Sequence, residues 1–226
     1  MTQPEIRFNG FSDEWVEKKL SDIGSTFTGL TGKTKDDFGH GEGRFVTYVN
    51  VFQNPIATIE QTGLVEIDDK QNQVRKGDIF FTTSSETPQD VGMASVWMHD
   101  LDNVYLNSFT FGYRLKEAMD SNYAAFMLRS APIRRKISFL AQGISRYNVS
   151  KIKLLEISVP FPSLPEQQKI GALFSKYDAI IALREQKLAE LNALKKGMLQ
   201  QMFDDGVATS HKPQATSHKP QATSHK

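Results

Sequence analysis

From Ser163 to Phe203 the chain reads SLPEQQKIGALFSKYDAIIALREQKLAELNALKKGMLQQMF, with no proline after Pro165 and glycine only at Gly171 and Gly197. A helix this uninterrupted is more than three times the usual globular length of about 11–12 residues, and at about 1.5 Å per residue it extends roughly 60 Å. Pro160 and Pro162 end what precedes it, Ser163 and Glu166 stand at capping-box spacing, and Pro165 fits a first turn whose amides lack intrahelical partners. Apolar residues recur at Leu173, Tyr177, Ile180, Ile181, Leu188, Leu191, Leu194, Met198 and Met202, a spacing of three and four that lays them along one stripe. Arg184 and Lys187 interrupt the heptad, and Ile181 and Leu188 carry the stripe past them. A domain of about 160 residues cannot cover one side of such a rod, so the stripe predicts a partner, and an antiparallel coiled coil with a second copy is expected. The alternative is a hairpin of two shorter helices that breaks near Asn192 or Gly197, but no turn signal interrupts Phe174–Leu191.

Upstream of the rod, runs dense in β-branched and aromatic residues predict strands at Arg44–Phe52, Gly77–Thr83, Ala94–Met98 and Phe109–Leu115, with a further strand-like run at Leu154–Val159. Glycine-rich and polar loops separate them, notably Thr28–Gly43 and Thr82–Pro88. Asn122–Leu140 reads as one helix with Tyr123, Phe126, Met127, Ile133 and Ile137 on its apolar side. The fold class is therefore α+β: a mixed, β-rich globular domain over 1–160, a long dimerisation or spacer helix over 161–203, and a tail over 204–226. In that tail Ala-Thr-Ser-His-Lys-Pro-Gln repeats every seven residues from Ala208, which predicts disorder, as a natural repeat or as an added segment.

Composition narrows the chemistry. The 226 residues include no cysteine, which excludes disulfides, thiolate nucleophiles and Cys-based zinc sites, and three of the five histidines lie in the tail repeat. No apolar run is long enough to span a bilayer and Met1–Asn9 has no apolar signal core, so a cytoplasmic, non-membrane protein is expected. The Gly-rich loops match neither the dinucleotide fingerprint nor the P-loop. Asn54-Pro55-Ile56 lacks the second proline and the aromatic of an adenine-methyltransferase motif, and Glu185-Gln-Lys187 is half a nuclease triplet on an exposed helix. His40 and His99 stand alone, so no catalytic residue, metal site or cofactor is predicted.

Charge, by contrast, is unevenly placed. Residues 1–160 hold 18 Lys+Arg against 20 Asp+Glu, yet Ser121–Leu155 carries Arg129, Arg134, Arg135, Lys136, Arg146, Lys151 and Lys153 with no acid. Such a patch suits either a solvated surface or the phosphates of a nucleic acid.

The segment Pro160-Phe-Pro-Ser-Leu-Pro-Glu-Gln-Gln-Lys-Ile170, the long Lys/Glu/Leu helix and its end Lys196–Phe203 resemble the conserved region of specificity (S) subunits of type I restriction-modification systems. Phe8–Leu20 and Val74–Phe81 are similar to the start and middle of such a subunit's target recognition domain, and the resemblance covers Phe8–Phe203. It implies a non-catalytic DNA sequence-specificity subunit with double-stranded DNA and methyltransferase (modification) subunits as partners. A restriction subunit is a further candidate partner, and S-adenosylmethionine would be bound by the modification subunit. Subunits of this family carry two recognition domains and two antiparallel helices, whereas one of each is seen here, so a homodimer reading a palindromic bipartite target is expected. A coiled-coil adaptor or decoy that binds the modification subunit without reading DNA is the other reading. Base and phosphate contacts are expected at Lys33, Lys35, Ser84, Ser85, Arg134, Arg135, Arg146 and Tyr147.

Overall fold

The computed structural model describes residues 4–203; the repeat tail predicted from Ala208 lies outside them. In chain order the elements are β1 (Val16–Lys19), α1 (Leu20–Ile23), β2 (Gly24–Thr28), β3 (Phe38–Val46), α2 (Tyr48–Gln53), β4 (Ile56–Ala57) and β5 (Thr62–Val65). Next come β6 (Ile79–Thr82), β7 (Ser84–Ser85), β8 (Ala94–Trp97), β9 (Val104–Leu106), β10 (Thr110–Leu115), α3 (Ser121–Arg129) and α4 (Ala131–Phe139). The chain closes with β11 (Tyr147–Asn148), α5 (Lys151–Leu155), β12 (Ser158–Phe161) and α6 (Leu164–Phe203).

A five-stranded sheet ordered β2-β10-β6-β8-β4 is the centre. Side chains alternate across a strand, and here both faces are covered. Ile79 and Phe81 of β6 join Phe111, Tyr113, Leu128 and Ile137 in one core, while Phe80 between them joins Val46, Trp97 and Leu106 in another. Burial on both sides explains why these strands read as continuous apolar runs rather than as alternating ones. A three-stranded sheet β5-β3-β9 and the two-stranded ladders β1-β12 and β7-β11 flank it.

Three sequence expectations are corrected at their edges. Arg44–Phe52 is not one strand: β3 stops at Val46 because Thr47 turns its hydroxyl to the amide of Asn50 at 3.2 Å and starts α2. Asn122–Leu140 is two helices, since Pro132 lacks an amide and would clash with the carbonyl four residues back, so Ser130 turns extended and α4 restarts with the proline in its first turn. Leu154–Val159 splits between α5 and β12, and Pro160 lies within β12, tolerated because that strand pairs only with β1.

The long helix is confirmed as α6, 40 residues without a break. Its start is anchored differently from the expected capping box. Glu166 is 1 % exposed, and its carboxylate accepts from Arg7 (Nε 2.7 Å, Nη2 2.9 Å) and Trp15 (Nε1 3.1 Å) instead of reaching back to Ser163. Gln167, also buried, donates to the carbonyl of Pro162 at 2.8 Å and accepts the amide of Asp120 at 3.0 Å. One turn on, Gly171 lies so close to α3 that a Cβ there would sit 2.5 Å from Asp120 Oδ1 and 2.7 Å from the amide nitrogen of Tyr123. Contacts divide the chain after Ala179, so the first turns of α6 belong with the globule and a second unit begins at Ile180.

Candidate nucleic-acid interface

The Thr82–Ser85 segment is the hub of the candidate site. Past Thr82, Ser84 and Ser85 form β7 and pair antiparallel with β11, Tyr147 opposite Ser85 and Asn148 opposite Ser84. Both serines are nearly buried, at 5 % and 9 % exposure, so they position the segment more than they face solvent. Arg146, exposed, donates from Nε to Ser84 Oγ at 3.2 Å, and Tyr48 donates its hydroxyl to the Ser84 carbonyl at 2.8 Å. The residue between, Thr83, turns the other way and lines a cleft of about 380 Å³ with Lys33, Ser108, Thr110 and Lys151. Five of the eight expected contact residues, Lys33, Ser84, Ser85, Arg146 and Tyr147, are thus gathered by one short stretch of backbone.

The remaining three are placed elsewhere. Lys35 is exposed at the start of a 3-10 turn that Thr34 and Asp37 close with a capping box. Arg135 is exposed on α4. Arg134 is turned inward: its guanidinium donates to the carbonyls of Gln89 (2.7 Å), Val91 (2.6 Å) and Gly92 (2.7 Å), and burial lowers its pKa. Its neighbour Arg129 does the same more completely, donating to the carbonyls of Ala94 (2.6 Å), Val51 (2.8 Å), Phe52 (3.0 Å), Gln53 (3.3 Å) and Asn54 (2.9 Å). Three of these carbonyls end α2, where a helix presents its unpaired acceptors. Burial pushes the Arg129 guanidinium down to about 10, still charged at neutral pH. The acid-free run Ser121–Leu155 therefore has two origins. Arg129 and Arg134 need no carboxylate because main-chain oxygens satisfy them, and Lys136 donates to the Ser158 carbonyl at 2.8 Å. Arg135, Arg146 and Lys153 are the exposed remainder, with Lys151 half-buried at the cleft.

Inside the cleft the two lysines differ. Lys33 pairs with Asp68 at 2.9 Å, and that hydrogen bond raises its pKa. Lys151 has no carboxylate within ion-pair distance among the described residues and rests over the Phe111 ring, 5.3 Å from its centroid. Sequence reasoning missed Lys151 as a site residue, and missed Phe109 as well. Phe109 is 59 % exposed at the turn between β9 and β10, its carbonyl accepting from Thr83 N (3.0 Å) and Thr83 Oγ1 (2.8 Å). The acid-free stretch already contained Lys151, whereas nothing local distinguished Phe109 from the core aromatics beside it. His40, isolated in sequence, lies 3.0 Å from Glu66. Among the described residues no cluster of His, Asp or Glu could hold a metal ion, and no helix is long and apolar enough to cross a membrane.

The globule thus holds a cleft edged by hydroxyls and two lysines, with Arg146 beside Ser84, and is followed by a long helix with exposed apolar residues. The chain belongs to the family of type I restriction modification DNA specificity domains, whose profile matches residues 12–193. It is 24% identical over 210 residues, 86% of this chain and 47% of the relative, to the MjaX type I restriction enzyme specificity subunit of Methanocaldococcus jannaschii. A shorter match, 33% identical over 92 residues, links it to the MjaVIII specificity subunit of the same organism, covering 39% of this chain and 20% of that one. Among solved structures, the S subunit from M. genitalium superposes with a TM-score of 0.56 at 20% identity, over 87% of this chain and 46% of that one. The chain spans about half the length of the curated relatives it matches over most of its own length. Specificity subunits are non-catalytic, and the expected α+β fold with a long C-terminal helix is the one seen.

Proposed function

We propose that the chain reads one half of a bipartite duplex DNA target and recruits methyltransferase subunits to it, with a second copy reading the other half. The observation that carries this reading is the exposed stripe of α6. Tyr177, Ile180, Ile181, Leu188, Leu191, Leu194, Met198 and Met202 are all 51 % exposed or more, and Leu173 is 37 % exposed. Apolar surface of this extent marks an interaction site, and a helix within a protein draws most of its stability from packing its apolar face against a neighbour.

An antiparallel second copy fits the stripe's own spacing. Centred between Lys187 and Leu188, it sets Leu173 opposite Met202, Tyr177 opposite Met198 and Ile181 opposite Leu194. The beginning of the stripe adjoins an apolar recess lined by Ile6, Phe8, Trp15, Ile170 and Phe174, which offers the partner's last turn a seat. Two-fold symmetry then calls for a palindromic target whose gap is fixed by helix length, and the exposed cations supply salt-dependent phosphate attraction. S-adenosylmethionine enters with the modification subunit, and the complex works in the cytoplasm.

The test is co-purification with a type I modification subunit, followed by gel shift and methylation of duplex DNA. Sequence-dependent methylation by the mixture and by neither component alone is the expected result. Association without any duplex binding would make the chain an adaptor, and metal-dependent cleavage by the chain alone would make it a nuclease; either overturns the reading.

A further inference from the structure

Resting on the DNA-reading function above, the geometry points to Phe109 as an apolar finger that contacts a thymine methyl group in the major groove, with Lys151 taking an adjoining backbone phosphate. A single exposed aromatic is ordinary on a protein surface; the way this one is mounted is not. Its carbonyl is held twice by Thr83, its amide donates to Asn107 Oδ1 at 2.9 Å, and Asn107 Nδ2 donates in turn to the Val46 carbonyl at 2.9 Å. Thr110 Oγ1 adds a bond to the Asn107 carbonyl at 3.2 Å. None of these bonds uses the phenyl ring, so a polar side chain would hold the turn equally well and keep less apolar surface in water. The turn is rigid, and the ring is left free for contact.

Its surroundings have the chemistry of a DNA contact. Ser108, Thr83 and Thr110 line the adjoining cleft, and Lys151, with no carboxylate partner among the described residues, supplies it with a positive charge. Hydroxyls and an unpaired lysine suit a phosphate oxygen, and an apolar side chain beside them suits the methyl that only thymine presents in the major groove. Rigid mounting limits the entropy lost on contact.

The experiment uses the full chain and fluorescence anisotropy with duplexes selected from a random library, scanned afterwards by single-position changes and by deoxyuridine in place of thymine. Phe109→Ala should reduce discrimination at one base pair by about tenfold while leaving the salt dependence unchanged, and Phe109→Leu should restore most of it. Deoxyuridine at that position should weaken the unsubstituted protein but not Phe109→Ala. Lys151→Gln should weaken all duplexes alike and lower the salt slope by about one. If Phe109→Ala discriminates as well as the parent, or if deoxyuridine is tolerated at every position, the finger is wrong while DNA reading stands. If the parent chain selects no sequence at all, DNA reading itself fails and the finger falls with it.

Discussion

Glu166, 1 % exposed, ties the start of α6 to the N-terminal segment through Arg7 and Trp15. Its spacing from Ser163 announces a capping box, yet its carboxylate clamps Arg7 and Trp15, residues about 150 positions away that no local pattern could have linked to it. Breaking a buried, hydrogen-bonded charge pair is strongly destabilising, and Glu166→Ala is expected to lower the melting temperature by about 5–10 °C for a chain of this size. Calorimetry or circular dichroism measures it. The hydrogen bond from Arg7 holds the Glu166 carboxyl below the usual carboxylate range, against the opposing effect of its desolvation. Its contribution is therefore complete above the unfolded-state value near about 4.3 and disappears as pH falls through the folded one. Melting temperature should drop on acidification below about pH 5, and drop less in Glu166→Gln. The core aromatics were readable as strand residues, but the arginines were not readable as internal. Arg129 and Arg134 bind carbonyls, and a sequence records side chains rather than where main-chain oxygens converge.

Among the elements, α6 was legible from end to end because its length and periodicity are local properties; the splitting of α2 from β3 and of α3 from α4 depended on single turn residues. The two glycines of α6 make a paired prediction. Gly171 leaves no room for a Cβ against Asp120, Asn122 and Tyr123, whereas nothing lies within 4 Å of the Cβ position at Gly197. Gly171→Ala should destabilise by about 1–3 kcal/mol through overpacking. Gly197→Ala should stabilise the helix by up to about 1 kcal/mol, since alanine loses less backbone freedom there. Chemical denaturation of the two variants in parallel checks both sign and size. No loss in Gly171→Ala would show that the helix start packs loosely against α3, and a loss in Gly197→Ala would show that Gly197 is covered.

For the molecule as a whole, the stripe predicts self-association. Leu188→Glu combined with Leu191→Glu should shift sedimentation from dimer to monomer at micromolar concentration and abolish selection of a two-part target, while leaving the melting of the globular unit unchanged. A parent chain that sediments as a monomer would remove the basis for two-fold reading. At this scale the candidate site was half visible in sequence: composition exposed the basic run, and only folding separated cations that meet solvent from those that brace loops. That bracing has an implication for how such a reader can change. The peptide oxygens that Arg129 and Arg134 grasp around residues 51–54 and 89–94 are common to every amino acid. The exposed letters of those stretches, Gln53 and Gln89, can therefore be rewritten without loosening their shape, while Val51, Val91 and Ala94 stay tied to the core.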